Sequence, residues 1–340
     1  MSAARDRIAA QAAAPSTGEE FAATVMDAVH DAAGFDGFVL LGFDPESGLR
    51  SFMFSLDGVS EHRRLTHNEW HENDVNRYVD LATAPRPAGV LQDSTREVVP
   101  SPRLQEILRP GGVSAELRLA LRDRSRLWGA LVLYRTDPRD RFTEQDVQRV
   151  LDVADPLREA LIRYPMRHQA KERSVAPAGV VVLDAADDVV SMTAEARGWL
   201  AEALAGGMGE EIPNRIHRAV YEVARAARDP RADGTVAIAR LRTTSGRWLA
   251  ITGSVLEATP GHVAVVLQQA SLGQVLPPAA AWFRLTPRET DVVRLLSDGV
   301  SSRAMAQTLQ MSQHTVNDHL TSIYRKAGVR GRDELLALLT

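Results

Sequence analysis

The sequence predicts a multidomain fold: two α+β units with antiparallel sheets and flanking helices, then an all-α unit of four helices. Three features of the chain point there. It has 340 residues, 44% hydrophobic and 25% charged, an ordinary globular mix long enough for two or three cores. Proline, glycine and short polar residues gather at "RHQAKERSVAPAG" (167–179) and "SLGQVLPPAAA" (271–281), as they do at chain breaks. Strand-like runs lie between helical patterns before residue 271, and only helical periodicity follows it. The expected division is a flexible tail at 1–18, a first unit at 19–165, a second at 174–270, a linker at 271–281 and a helical unit at 282–340.

The first unit opens with a helical pattern, "EEFAATVMDAVHDAAG", with Gly34 as its expected C-cap. "FDGFVLLGFD" and "GLRSFMFSL" are two strands around the turn "DPESG". A polar helical middle follows, then two more strands, "SAELRLALRD" and "LWGALVLYR". The last helix starts at "FTEQDVQRVLDVADPLREALIR", with Thr143 as N-cap and a kink expected at Pro156. This order, with "WGALVLYR" leading into "FTEQDVQ", resembles a GAF domain, a small-molecule sensor module.

The second unit begins "AGVVVLDAADDVVSMTAEARGWLAEAL": a strand, an acidic turn, a short strand and a helix capped by Thr193. A further helix lies near "IPNRIHRAVYEVARAARD", and three strands follow, with a hairpin at "TTSG". Two strands, helices and three strands, with "VVLDAADDVVSMTAEAR" the most telling part, resemble a PAS domain.

In the C-terminal unit Thr286, Pro287 and Glu289 form a capping box with proline at the first helical position. Gly299 ends that helix, Ser301 caps a short second one, and "QMS" makes a tight turn. Ser312 caps a third helix ending near Gly328, and a short fourth spans Asp333 to Leu339. Val316, Leu320, Ile323 and Ala327 form one apolar stripe on the third helix, with His314, Asn317, Asp318, Thr321 and Arg325 opposite. The small Ala306 lets the second helix approach the third. These are the parts of a helix-turn-helix. The spaced string "LTPRE…SSR.MA..L.MS..TVN.H…IY.K.GV" resembles the LuxR/GerE-type regulators of bacterial transcription.

That resemblance implies double-stranded DNA as partner; a homodimer and contact with RNA polymerase are further expectations. The resemblance implies base contacts from Asn317, Asp318 and Thr321, with His314 beside them. Backbone contacts fall on Ser302, Arg303, Ser312, Thr315, Arg325 and Lys326. The chain departs from the pattern at three places. Ser302 stands where asparagine is frequent, Asn317 where lysine is, and Asp318 where a polar or basic residue is common. Asparagine can pair with an adenine edge and aspartate can accept from cytosine N4. Asp318 has a plainer reading as well, a side chain that faces water or repels misplaced phosphates. From Trp282 onward eight basic residues face six acidic ones, so this unit carries +2 within a chain of −4. Phosphate attraction supplies much of a DNA-binding protein's affinity. So modest a charge favours two linked copies on a two-part site.

Composition excludes several chemistries. There is no cysteine, hence no disulfide, thiolate metal site or cysteine nucleophile. Lys171 and Lys326 are the only lysines, so no N-terminal phosphate-accepting receiver of the usual lysine-containing kind is expected. No apolar run reaches the roughly 20 residues of a membrane span, and a cytoplasmic setting is expected. His67 and His71 sit one helical turn apart. Asn68 stands where a zincin needs glutamate, and a third ligand is missing, so no metal is expected. "AGGMGEE" lacks the lysine of a phosphate loop, and His30–Asp31 is an isolated pair. No nucleophile and base are visible together, so no enzyme and no cofactor are expected. The candidate effector pocket is the stretch 60–82 with Trp70, His71 and Tyr78. Trp199, His217, Tyr221 and Trp248 in the second unit are read as core. A sensor or scaffold acting through protein contacts, its helix-turn-helix serving only dimerisation, is the alternative function.

Overall fold

The run "GFVLLGF" becomes β1 (Gly37–Phe43), buried at every position. A strand covered on both faces needs apolar side chains pointing both ways, which is why this run does not alternate. The computed structural model describes residues 2–11, 18–56, 59, 61–92, 101–124, 126–164, 176–204, 218–229, 236–243 and 245–339. In it β1 lies between β2 (Arg50–Leu56) and β5 (Arg126–Arg135). With β3 (Ala88–Gln92) and β4 (Ala115–Asp123) they form an antiparallel sheet ordered β2-β1-β5-β4-β3.

Helices cover both faces. Phe38 and Leu40 point toward α2 (Gly18–His30), α5 (Glu144–Asp152) and α6 (Ala154–Arg163), in one cluster with Phe21, Val25, Val150 and Leu157. Val39 and Leu41 point the other way, toward α3 (His62–His71), α4 (Tyr78–Thr83) and a π-helical turn at Arg103–Leu108. Thr143 caps α5 through a capping box with Asp146, as the sequence indicates. At Pro156 the outcome is a break rather than a kink. α5 stops at Asp152 and α6 restarts at Ala154, placing the proline in a first turn where its missing N–H costs nothing. Gly34 is not a left-handed cap: it lies beyond the end of α2, and its carbonyl accepts from the Arg135 guanidinium at 3.0 and 2.9 Å.

The expected tail holds α1 (Ser2–Gln11), packed on α2 and α6. Its single large apolar residue, Ile8, is fully buried in the first cluster, and Arg7 pairs with Asp31. One buried isoleucine ties down a segment whose composition alone reads as polar and alanine-rich.

The second unit repeats the layout. β6 (Gly179–Leu183), β7 (Val189–Met192), α7 (Ala194–Leu204), α8 (Arg218–Arg228), β8 (Ala237–Arg242), β9 (Trp248–Val255) and β10 (Val263–Gln269) give a sheet ordered β7-β6-β10-β9-β8. Thr193 Oγ1 accepts from the Ala196 N–H at 3.3 Å, the expected cap of α7. The "TTSG" turn closes with Gly246 at φ +83 and its N–H on the Thr243 carbonyl. Trp199 and Trp248 are buried, and Tyr221 packs at the margin of the same unit's core. His217 and "AGGMGEE" lie outside the described residues.

The expected linker 271–281 is instead α9 (Leu272–Trp282). Ser271 and Gln274 form a capping box, and Val275, Leu276, Pro278, Ala279 and Trp282 are buried along it. Pro277 and Pro278 remove two backbone donors, yet the apolar face and the cap hold the helix.

Candidate nucleic-acid interface

Four helices complete the chain: α10 (Pro287–Ser297), α11 (Ser302–Thr308), α12 (Gln313–Ala327) and α13 (Arg332–Leu339). Each of the first three has the N-cap expected of it. Thr286 and Glu289 form the capping box of α10, Ser301 accepts from the Ala304 N–H, and Ser312 from the Thr315 N–H. Their ends are set by backbone that glycine suits: Gly299 at φ +80 after α10, and Gly328 at φ +69 as the left-handed cap of α12. Between α11 and α12 the turn places Gln310 at φ +53, and the Met311 N–H returns to the Ala306 carbonyl at 3.0 Å.

Val316 and Ile323 are fully buried on α12, and Leu320 nearly so, against Met305 and Ala306 of α11. This apolar contact fixes which face of α12 looks outward. His314, Thr315, Asn317, Asp318, Thr321 and Arg325 all lie on the exposed side, and Ser312 and Arg303 are exposed as well. Ser302 is half-buried at the start of α11. Eight of the ten expected residues are thus exposed, six of them on the outer side of α12. The hydroxyls of Ser312 and Thr315 are 2.8 Å apart, and that of Thr321 donates to the Asn317 carbonyl, so these three are held in place. Asp318 stands 3.7 Å from the His314 imidazole, both strongly exposed. The acid is thus one turn from a titratable base on the same face.

Lys326 is the exception. Its Nζ donates to Glu289 Oε2 at 2.5 Å and to the Arg284 carbonyl at 3.1 Å, turning it toward α10. Burial works to raise the Glu289 carboxyl, but hydrogen bonds from Lys326, Thr286 and Ser322 overcome it and hold the group at about 2. One carboxylate thus caps α10 and binds α12.

Trp70, His71 and Tyr78 do not come together. Trp70 is 46% exposed and His71 faces solvent, whereas Tyr78 is 5% exposed and points into the sheet. The space beside Tyr78 is filled by charges. Arg118 lies over its ring at 4.5 Å and binds Glu69 at 2.8 Å, and Arg103 binds Glu116 at 3.0 Å, all four buried. Asn68 joins them through Arg103 and Asp74 rather than serving His67. The signal for this network was present in "AELRLALRD", where Glu116 and Arg118 alternate with leucines. Such alternation ordinarily marks a strand with one wet face. His67 and His71 have ring centroids 5.3 Å apart, and among the described residues no group of three metal-ligating side chains forms.

Further contacts tie the helical unit to the rest. Trp282 stacks on Trp248 at 5.1 Å, and the Leu338 carbonyl accepts from Trp248 Nε1 at 3.2 Å and from Arg242. Arg284 donates to Glu159 of α6 at 2.8 Å.

Comparison with known proteins agrees with this geometry at both ends of the chain. Residues 284–339 match the model of bacterial regulatory proteins of the luxR family, and residues 17–161 match the GAF domain. The chain therefore carries a GAF domain and a luxR-family helix-turn-helix. A putative HTH-type transcriptional regulator of Mycobacterium tuberculosis, Rv0890c, is 42% identical over 73 residues, 22% of this chain and 8% of that protein. The transcriptional regulatory protein YdfI of Bacillus subtilis is 38% identical over 55 residues, 16% of this chain and 26% of that protein. The matches thus span only a small part of these relatives' own length. Among solved structures, SdiA of Escherichia coli is 13% identical with a TM-score of 0.36, covering 98% of this chain and 94% of that one. A domain of a putative two-component sensor histidine kinase from Sinorhizobium meliloti is 23% identical with a TM-score of 0.32, covering 43% and 91%. Among the described residues no helix is long and apolar enough to cross a membrane.

Proposed function

We propose that this chain is a cytoplasmic, non-enzymatic transcription regulator that binds double-stranded DNA through α12 and acts as a homodimer. In this reading the GAF domain (19–165) and a PAS-like unit (174–270) sense a small molecule or a partner. They control residues 282–340, which also meet RNA polymerase. The observation that carries it is the outer face of α12. Its apolar stripe packs against α10 and α11, which leaves the polar side chains opposite facing outward, where they can enter a groove. Asn317, Asp318 and Thr321 face the bases, and Ser302, Arg303, Ser312, Thr315 and Arg325 face the phosphates. His314 stands at the entry of α12. Lys326 is left out of this set because its ammonium already binds Glu289. The two-strand, two-helix, three-strand order of residues 179–269 supports the PAS-like reading.

The test is duplex binding by the full chain, followed by fluorescence anisotropy. Arg325→Ala lowers affinity on every sequence alike and reduces the salt slope by roughly 0.9. An unchanged slope removes Arg325, and with it this orientation of α12.

A further inference from the structure

We infer that the GAF domain binds a small, doubly charged oxyanion at the end of β4, in a cleft walled by Arg122, Arg124 and Arg158. The cleft, about 340 Å³, lies where the end of β4 meets the first turn of α6, with Pro87 and Ala154 as its apolar sides. That volume suits a compact metabolite, at the lower end of ligand pockets. Three guanidinium groups and one carboxylate, Asp155, line it, so the walls carry a net charge matching a phosphomonoester or a dicarboxylate.

Two of the arginines are fixed in advance. Arg122 donates to the carbonyls of Arg124 at 2.7 Å and Ala84 at 2.8 Å, which leaves its charge uncompensated by those bonds. Arg158 donates to the Arg122 carbonyl at 3.1 Å and to Asp155 at 2.6 Å, while its buried Nε has no hydrogen-bond partner. Arg124 is exposed at φ +56, on the turn that follows β4. Planar guanidinium forks held by backbone carbonyls are suited to bidentate capture of phosphate or carboxylate.

The cleft also has an outlet. Glu159 Oε1 accepts from Arg158 at 3.2 Å and from Arg284, at the start of the luxR-family domain, at 2.8 Å. An oxyanion competes with Glu159 for Arg158, so occupancy is felt at Arg284. The inference names a ligand class for the sensing half of the function proposed above. It is scored without DNA, so its failure leaves the α12 reading standing, and failure of DNA binding leaves the cleft standing.

The experiment is calorimetric titration of the full chain with inorganic phosphate and, separately, succinate, against chloride at matched ionic strength. Saturable one-to-one binding is expected. Phosphate above succinate assigns a phosphorylated ligand, and the reverse a dicarboxylate. Arg124→Asn, which keeps a residue tolerant of positive φ and perturbs no core, should weaken binding about tenfold. Asp155→Asn, which removes the carboxylate lining the cleft, should tighten it severalfold. No heat beyond that of chloride overturns the inference, as does saturable binding that neither variant changes.

Discussion

Glu289 is a buried acid with two partners on different helices, the Thr286 N–H that it caps and the Lys326 ammonium. Its depressed ionisation makes its contribution to stability a function of pH. An acid held near 2 when folded and near its ordinary value when unfolded stabilises the fold above the unfolded value. That stability is lost as pH falls from about 4.5 through about 2. The contribution at neutral pH is about 3 kcal/mol. Glu289→Gln should therefore lower the unfolding midpoint of the C-terminal helices at neutral pH and flatten its decline below pH 4.5, read by circular dichroism. An acid limb as steep in the variant as in the parent assigns the pH dependence to other carboxylates. Lys326 is instructive because packing gives it a partner that no local stretch of sequence shows. Its place in the string implies phosphate contact, and only α10 packing beside α12 shows the carboxylate that claims it.

The helices differ in how openly the sequence declares them. α10, α11 and α12 were legible to the residue because Thr286, Ser301, Ser312 and Gly328 mark their ends, each by a local bond. The gathering of proline, glycine and short polar residues at 271–281 implies a linker, yet a Ser271–Gln274 capping box and a buried stripe from Val275 to Trp282 hold a helix there. Tertiary burial decided the matter, which no window of sequence contains. The polar network around Arg103, Glu116 and Arg118 was hidden for a related reason. Charges alternating with leucines imply a wet face, and only the packing of α3 and the π-helical turn makes that face dry. A helix carrying two prolines leans on its cap. Ser271→Ala should lower the unfolding midpoint of the full chain, by about 1 kcal/mol of stability. A change within error would show that burial of Val275 and Trp282 suffices without it.

The whole molecule is joined by seams of different character. Between the GAF domain and the second unit the seam is ionic and dry: Arg50 lies 2.9 Å from Glu222, and Arg240 donates to Asp44 at 2.7 Å, with all four side chains buried. Such pairs add little net stability but penalise any arrangement that separates them, so they fix one docking geometry. Between the second unit and the helical unit the seam is aromatic, with Trp248 stacked on Trp282 and bonded to the Leu338 carbonyl at the end of α13. Under the function proposed above, units joined this firmly would act on α12 by favouring one arrangement of these seams over another. The most direct measurement is competition binding of the full chain to a selected duplex and to random DNA, with Asn317→Ala and Arg325→Ala beside the parent. Asn317→Ala should relax preference at one base step by about 1–3 kcal/mol and spare random DNA, whereas Arg325→Ala should weaken both equally. Equal losses on selected and random DNA for both variants would contradict base reading by the outer face of α12.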